Sequence, residues 1–438
     1  MNILSQVTKA MQAVLTEAAD LLAYKTGFIK RLRKLTGSGF IQTLVFGWLK
    51  KPDSTLEELC QTAASLGFDI TPQGLSKRFT QEASDFIKET LESAVGIVIE
   101  SKPVLIPLLM RFKGVYIQDS SINTLPDSLA VIWPGCGGST SKNTSSSLKI
   151  QIRLDLNTGS LAGPYFQPGY EQDKISALFK ESLPPGSLRM TDLGYFSLKN
   201  FKEVDSQGVY WLSRVKSQCN VVDIDGKQWD LLDFLKKHCI EEMGMPVFLG
   251  VEERVPCRIL AVRVPDKVAM VRRCKLISEA KREGKPVSEK LLSLASWAVL
   301  CTNVPPEMLS LNEAFALIRA RWQIEMIFKL WKSHGKIDEW RSEDPWRILC
   351  EVYAKLLAMV IQHWIFLTSC WEYPDRSIFK AAKTIQGFAA SLAVAFALGT
   401  EERLYEILGI IGRCLSVGCR INKSKAKTHT YQLLMAFG

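Results

Sequence analysis

Residues 312–332 constrain this chain more than any other stretch. Leu317, Ala320, Ile324, Ile327 and Trp331 recur at helical spacing and form an apolar stripe that needs a core to cover it. A second stripe runs beside it. Ile318, Arg321, Glu325 and Lys332 lie at offsets of three, four and seven, so they share one helical face. A carboxylate between two cations suits a polyanion held through a metal. The same spacing also describes an ion-paired, solvated face, because Arg and Glu four residues apart commonly pair.

The chain has 438 residues, enough for a large core and two to four domains, and its formal net charge is +10. Residues 1–51 carry eight Lys or Arg against two acids, and residues 419–438 carry four against none. The two ends therefore hold the whole excess, which points to a polyanionic partner such as DNA or to a skewed surface without one. Eleven scattered cysteines without a C-x-x-C pair, and four histidines, fit free thiols in a reducing cytosol and argue against structural zinc. Residues 1–21 mix Gln, Lys, Glu and Asp among apolar positions, unlike a secretory signal. Lys355, Gln362 and His363 interrupt the apolar run 352–370, and the run 389–398 is too short for a bilayer. Neither is expected to span a membrane.

Along the chain, residues 1–106 read as helices. Residues 54–67 carry a Ser or Thr N-cap and a glycine stop, Thr71-Pro72 opens a second helix, and residues 74–98 continue it with Lys77 and Arg78 on its first turns. Helix, short turn and helix fit a DNA-reading helix-turn-helix or any small helical domain. Phe112, Val115, Tyr116 and Ile117 then form a strand expected to end at Asp119. Residues 134–147, rich in Gly, Ser and Thr, make a loop without the P-loop pattern. Residues 148–156 and 161–166 pair as a hairpin, and Asp173 caps a helix running through Lys180. A short strand ends at Asp192 inside Asp192-Leu193-Gly194-Tyr195-Phe196, a helix spans 197–204, and a strand spans 209–215. Residues 217–296 read as a mainly β insertion, and residues 297–303 as a strand returning to the core. Apolar helices follow at 346–370, 378–398 and 401–417, and then a basic tail at 420–429.

Arg321-x3-Glu325-x6-Lys332, with Trp322 after the arginine and Phe328-Lys329 after the glutamate, resembles the Tyr-Arg-Glu-Lys signature of bacterial insertion-sequence transposases of the Asp-Asp-Glu (DDE) class, in the insertion-sequence-four family. The Asp192 block resembles that family's Asp-x-Gly-Tyr-Phe block, and Asp119 matches its first aspartate by order and strand context. One departure is Ile318, where the family has tyrosine. The resemblance implies an α/β ribonuclease-H-like catalytic core with a mainly β insertion, flanked by α-helical N- and C-terminal domains. The family's mixed five-stranded sheet carries the two aspartates on its first and fourth strands. The expected segments are a DNA-binding domain at 1–106, a core at 107–370 interrupted at 217–296, and a dimerisation region at 371–438.

The implied chemistry is cut-and-paste DNA transposition. Asp119, Asp192 and Glu325 would bind two Mg²⁺ ions, with Mn²⁺ able to substitute, because carboxylates are hard oxygen ligands and a pair of ions about 4 Å apart can clamp an in-line phosphoryl displacement. Arg321 and Lys332 would hold DNA phosphates. Trp297 stands where a relative stacks tryptophan on a flipped base, or else is a buried strand aromatic. Trp322 would stack or pack beside Arg321, and Lys77 and Arg78 would contact DNA. The expected partners are double-stranded terminal inverted repeats and target DNA, bound by a homodimer in the bacterial cytoplasm at the nucleoid, with no membrane. Two alternatives remain: a degenerate transposase acting as a DNA-binding repressor, and a structure-specific nuclease on the same fold.

Overall fold

A computed structural model describes residues 2–31, 35–137, 145–422 and 429–437. Residues 138–144 of the Gly/Ser/Thr-rich loop and 423–428 of the basic tail lie outside the described residues. The strands are β1 (Val115–Leu125), β2 (Ser146–Asp155), β3 (Leu161–Pro168), β4 (Leu188–Thr191), β5 (Tyr210–Arg214), β6 (Asn220–Val222), β7 (Gln228–Asp230), β8 (Glu242–Leu249), β9 (Val255–Arg263) and β10 (Trp297–Thr302). The chain divides into two compact units, and neither is a continuous segment. Unit 1 comprises Met1–Leu105, Asp119–Glu171 and Gln323–Lys427; unit 2 comprises Ile106–Gln118, Gln172–Trp322 and Thr428–Gly438.

Unit 1 is mainly helical. Its centre is the helix Pro345–Leu367, whose residues from Ile348 to Leu367 are all buried, and it packs on the helices Gln81–Val95 and Gly37–Lys50. This helix is long and apolar enough to cross a membrane, but 94% of its most apolar window is buried inside the protein. The three polar residues that interrupt it are all satisfied. Lys355 pairs with Glu351 at 2.8 Å and donates to the carbonyls of Lys336 and Glu339. Gln362 donates to the Ala382 carbonyl, and His363 Nε2 lies 2.8 Å from the Gly159 carbonyl. Strands β2 and β3 form the expected antiparallel hairpin.

The N-terminal reading needs one correction. Residues 74–98 are not one helix: Pro72–Ser76 stops after five residues, and a new helix, Gln81–Val95, starts at Thr80, whose hydroxyl accepts from the Ala83 N–H. Phe79, buried between them, anchors the break. Residues 378–398 likewise divide, into Ile378–Gly387 and Ala389–Ala397.

Unit 2 is built on a large mixed sheet. Its strands run β1-β4-β5-β10-β9-β8-β6-β7; β1, β4 and β5 are parallel, and every later pair is antiparallel. The 217–296 segment therefore prolongs the core sheet, where five strands had been expected. It is also less purely β than its sequence implies, because it holds the helices Leu231–His238, Asp266–Glu283 and Glu289–Leu294. Asp266–Glu283 buries only Ala269, so no apolar stripe in its sequence marks a core side. The core under the sheet contains Trp211, stacked on Phe201 at 4.2 Å, with Phe234, Ile259 and Cys301.

Candidate active site

In unit 2, β1 and β4 pair in parallel from Val115↔Leu188 to Gln118↔Thr191. Asp119 and Asp192 are the residues that follow this last pair, one on each chain segment. Parallel α/β sheets place their chemistry beyond the carboxyl ends of such strands. Asp192 is half-buried and opens the turn Leu193–Tyr195, with its carbonyl accepting from the Tyr195 N–H at 3.0 Å. The Tyr195 ring is buried 5.1 Å from that of Phe179, which fixes the turn.

Asp119 corrects an expectation. The strand does not end there, since β1 runs on to Leu125, and Asp119 marks the point at which pairing with β4 stops. Its carboxylate accepts from the Ser120 N–H at 2.8 Å.

Glu325 and Lys332 lie on the helix Trp322–Ser333, which is distinct from Leu311–Ala320; the single helix read over 312–332 breaks at Arg321. The Arg321 N–H reaches the Ile318 carbonyl at 3.3 Å, a tightened last turn that needs neither Pro nor Gly. The apolar stripe holds across the break: Leu317, Ala320, Ile324, Ile327 and Trp331 are all buried. Within unit 1, two hydrogen bonds tie the Glu325 helix and the turn after it to the later half of β1. Lys332 Nζ donates to the Ile122 carbonyl at 3.0 Å, and Asn123 Nδ2 donates to the Ile337 carbonyl at 2.9 Å. Glu325 is half-buried. Lys332 thus spends one of its three N–H donors on the strand that Asp119 belongs to.

In unit 2 the preceding helix is anchored by a capping box, Ser310 with Glu313, and by Arg111, which pairs with Glu313 at 2.8 Å. Burial pushes the Glu313 carboxyl up, but Arg111 and Ser310 outweigh it and leave the group below the usual range.

Arg321 is 8% exposed and lines a cavity of about 320 Å³ with Arg214, Ile318, Arg319, Trp322 and Thr430. Trp322 is exposed there. Ile318 thus forms part of an arginine-lined wall. Trp297 lines a second cavity, of about 1000 Å³, that shares Arg214, Ile318 and Arg319 with the first. It is a half-buried strand aromatic whose carbonyl accepts from Arg272 at 3.0 Å. Arg214, Arg272, Lys275 and Arg319 were missed by sequence reasoning, because they come from three separate elements and share no motif. In unit 1, Lys77 and Arg78 follow the short helix Pro72–Ser76; Lys77 is exposed and Arg78 half-buried.

The donor set Asp119, Asp192 and Glu325 suits a hard divalent cation, since it consists only of carboxylates. Among the described residues, no group of three or more His, Cys, Asp or Glu side chains is gathered to hold a metal ion.

Asp119 and Asp192 each follow the last residue of a paired parallel strand stretch, and Glu325 lies on a later helix. Residues 111–361 match the family described as "Transposase DDE domain", and the chain belongs to that family: it is a DDE-type DNA transposase, on a ribonuclease-H-like fold with a large mixed sheet. Among its relatives is the transposase for insertion sequence element IS231B of Bacillus thuringiensis subsp. berliner, 28% identical over 90% of this chain and 88% of the relative. The transposase for IS231E of Bacillus thuringiensis subsp. finitimus is 28% identical over 95% and 90%. The transposase for IS1151 of Clostridium perfringens is 26% identical over 80% and 77%. A piggyBac transposase synaptic complex with hairpin DNA is a looser structural likeness, with a TM-score of 0.47, 9% identity and coverage of 96% of this chain and 87% of that one. Transposases of this family generally use divalent metal ions.

Proposed function

We propose that this chain is the transposase of an insertion sequence, in the Tyr-Arg-Glu-Lys signature group, and that it cleaves and joins DNA at the element's terminal inverted repeats by cut-and-paste chemistry. The observation that carries the reading is the β1–β4 register, in which Asp119 and Asp192 both follow the pair Gln118↔Thr191. Asp119, Asp192 and Glu325 would hold two Mg²⁺ ions, or Mn²⁺ in their place. Bound there, divalent ions supply Lewis acidity for activating a water or 3′-hydroxyl and for steadying the leaving oxygen. Arg321 and Lys332 grip the phosphates of the DNA end, so that the attacking and leaving oxygens stand in line. Lys332 also holds β1 through Ile122, so it positions the strand of Asp119 and meets phosphate with its remaining donors. Trp297 and Trp322 offer aromatic faces beside the arginines, and Lys77 and Arg78 add contacts to duplex DNA. Two ends of one element call for two active sites, so the working form is a homodimer on nucleoid DNA.

The test is nicking of a supercoiled plasmid carrying the element's ends, in Mg²⁺. The wild-type chain should cut it. Asp192→Asn and Glu325→Ala should not, while still binding the ends almost as tightly. If wild type and Asp192→Asn are equally inert and end binding persists, the protein is a DNA-binding repressor.

A further inference from the structure

The larger cavity of unit 2 is lined by four cations from three elements: Arg214 at the end of β5, Arg272 and Lys275 on the helix Asp266–Glu283, and Arg319 on Leu311–Ala320. One acid, Glu279, lines it as well, at 3.8 Å from Lys275. Among the described residues, the side chains of Arg214 and Arg319 make no hydrogen bond or ion pair. Four like charges against a single acid repel one another unless an anion joins them. Burial holds Arg272 below the usual arginine range, and the charge of Arg214 adds to this. Because the smaller cavity shares Arg214, Ile318 and Arg319, the basic lining continues to Arg321.

We infer that Arg214, Arg272, Lys275 and Arg319 form a phosphate-binding trough for the backbone of a DNA strand, making the insertion helix Asp266–Glu283 part of the DNA-binding surface. The inference rests on the DNA-transposase reading and extends it to residues outside the signature motif. The helix suits this role: it buries only Ala269, so core packing makes few demands on its side chains, and Lys275 is 77% exposed. Contact with phosphates needs no base recognition, so binding through the trough is sequence-independent and sensitive to salt.

The experiment measures binding of the full chain to a fluorescein-labelled, random-sequence duplex by anisotropy across a NaCl series. Each phosphate contact contributes about 0.9 to the slope of log K against log salt. Arg214→Gln/Arg319→Gln should make that slope shallower by about two units, and Lys275→Gln by about one, with unchanged melting temperatures. Lys281→Gln, on the same helix but outside the cavity lining, should leave it unchanged. A wild-type slope in both cavity variants overturns the trough while leaving the transposase reading intact, and so does an equal change from Lys281→Gln, which would report bulk charge alone. A wild-type chain that binds no duplex at all overturns both.

Discussion

The helix Pro345–Leu367 buries nearly its whole length, whereas Asp266–Glu283 buries Ala269 alone. Each carries cations, and the two environments treat them in opposite ways. In the first, Lys355 is 2% exposed and has three oxygen partners, one of them the Glu351 carboxylate. Burial pushes its ammonium down, and Glu351 pulls it part of the way back. In the second, Arg272 lines a cavity with Arg214, Lys275 and Arg319, where Glu279 is the one acid, and its own partner is a backbone carbonyl, that of Trp297. Charge placed in a core needs its partner in the same molecule, since water is not there to supply one. Charge on an open wall can stay unpaired until a ligand arrives. The comparison separates the part of the chain that holds the fold from a part that is free to hold DNA.

The strongest way to break that contrast is to remove the partner in the core. Glu351→Ala leaves Lys355 buried beside backbone carbonyls only, and should destabilise unit 1 by about 3 kcal/mol. Urea denaturation measures it. A loss below about 1 kcal/mol would mean that water reaches Lys355, and that the two helices differ less than their burial implies. A smaller effect sharpens the same point at His363, whose pKa burial lowers from 6.5 to about 4. Above pH 6.5 the ring is neutral whether folded or unfolded, and stability is complete. As pH falls from 6.5 toward 4, the unfolded chain takes up a proton that the folded one refuses, so stability drops. Between pH 7.5 and 5 the drop from this residue should be about 2 kcal/mol. His363→Gln, which can still donate to the Gly159 carbonyl, should remove that part of the pH dependence. An identical pH profile in wild type and variant would show that His363 is solvated.

The contrast also explains what could be read in advance. Burial leaves a periodic trace, so the stripe from Leu317 to Trp331 and the helix Glu401–Val417 were legible in the residue pattern. Asp192 was legible because a four-residue strand and a glycine-containing turn enclose it. The strand leading to Asp119 was legible but its continuation past Asp119 was not, since Ser120, Ser121, Asn123 and Thr124 do not resemble a strand until pairing is known. The joint at Arg321 has no sequence mark, because it is a change in one hydrogen bond with no Pro or Gly involved. The basic cavity was illegible for a different reason. Its cations meet only through the order β5-β10-β9 and the helices attached to it, which no local spacing encodes.

The smallest expected effect tests the open helix with an apolar residue. Met270 is 66% exposed, along with Val271 and Ile277 on the same helix. Truncating a buried methionine removes packing and leaves a cavity, at a cost of about 2–5 kcal/mol. Met270 has no such packing to lose, and alanine is the better helix former. Met270→Ala should therefore change stability by less than about 0.5 kcal/mol in the urea assay. It should also leave the salt slope of DNA binding unaltered, since no charge is removed. A loss above about 1 kcal/mol would mean that this side of the helix is covered in solution. The protomer dependence of the melting temperature then decides by what: a melting temperature that rises with protein concentration points to a second copy of the chain, because self-association stabilises by mass action.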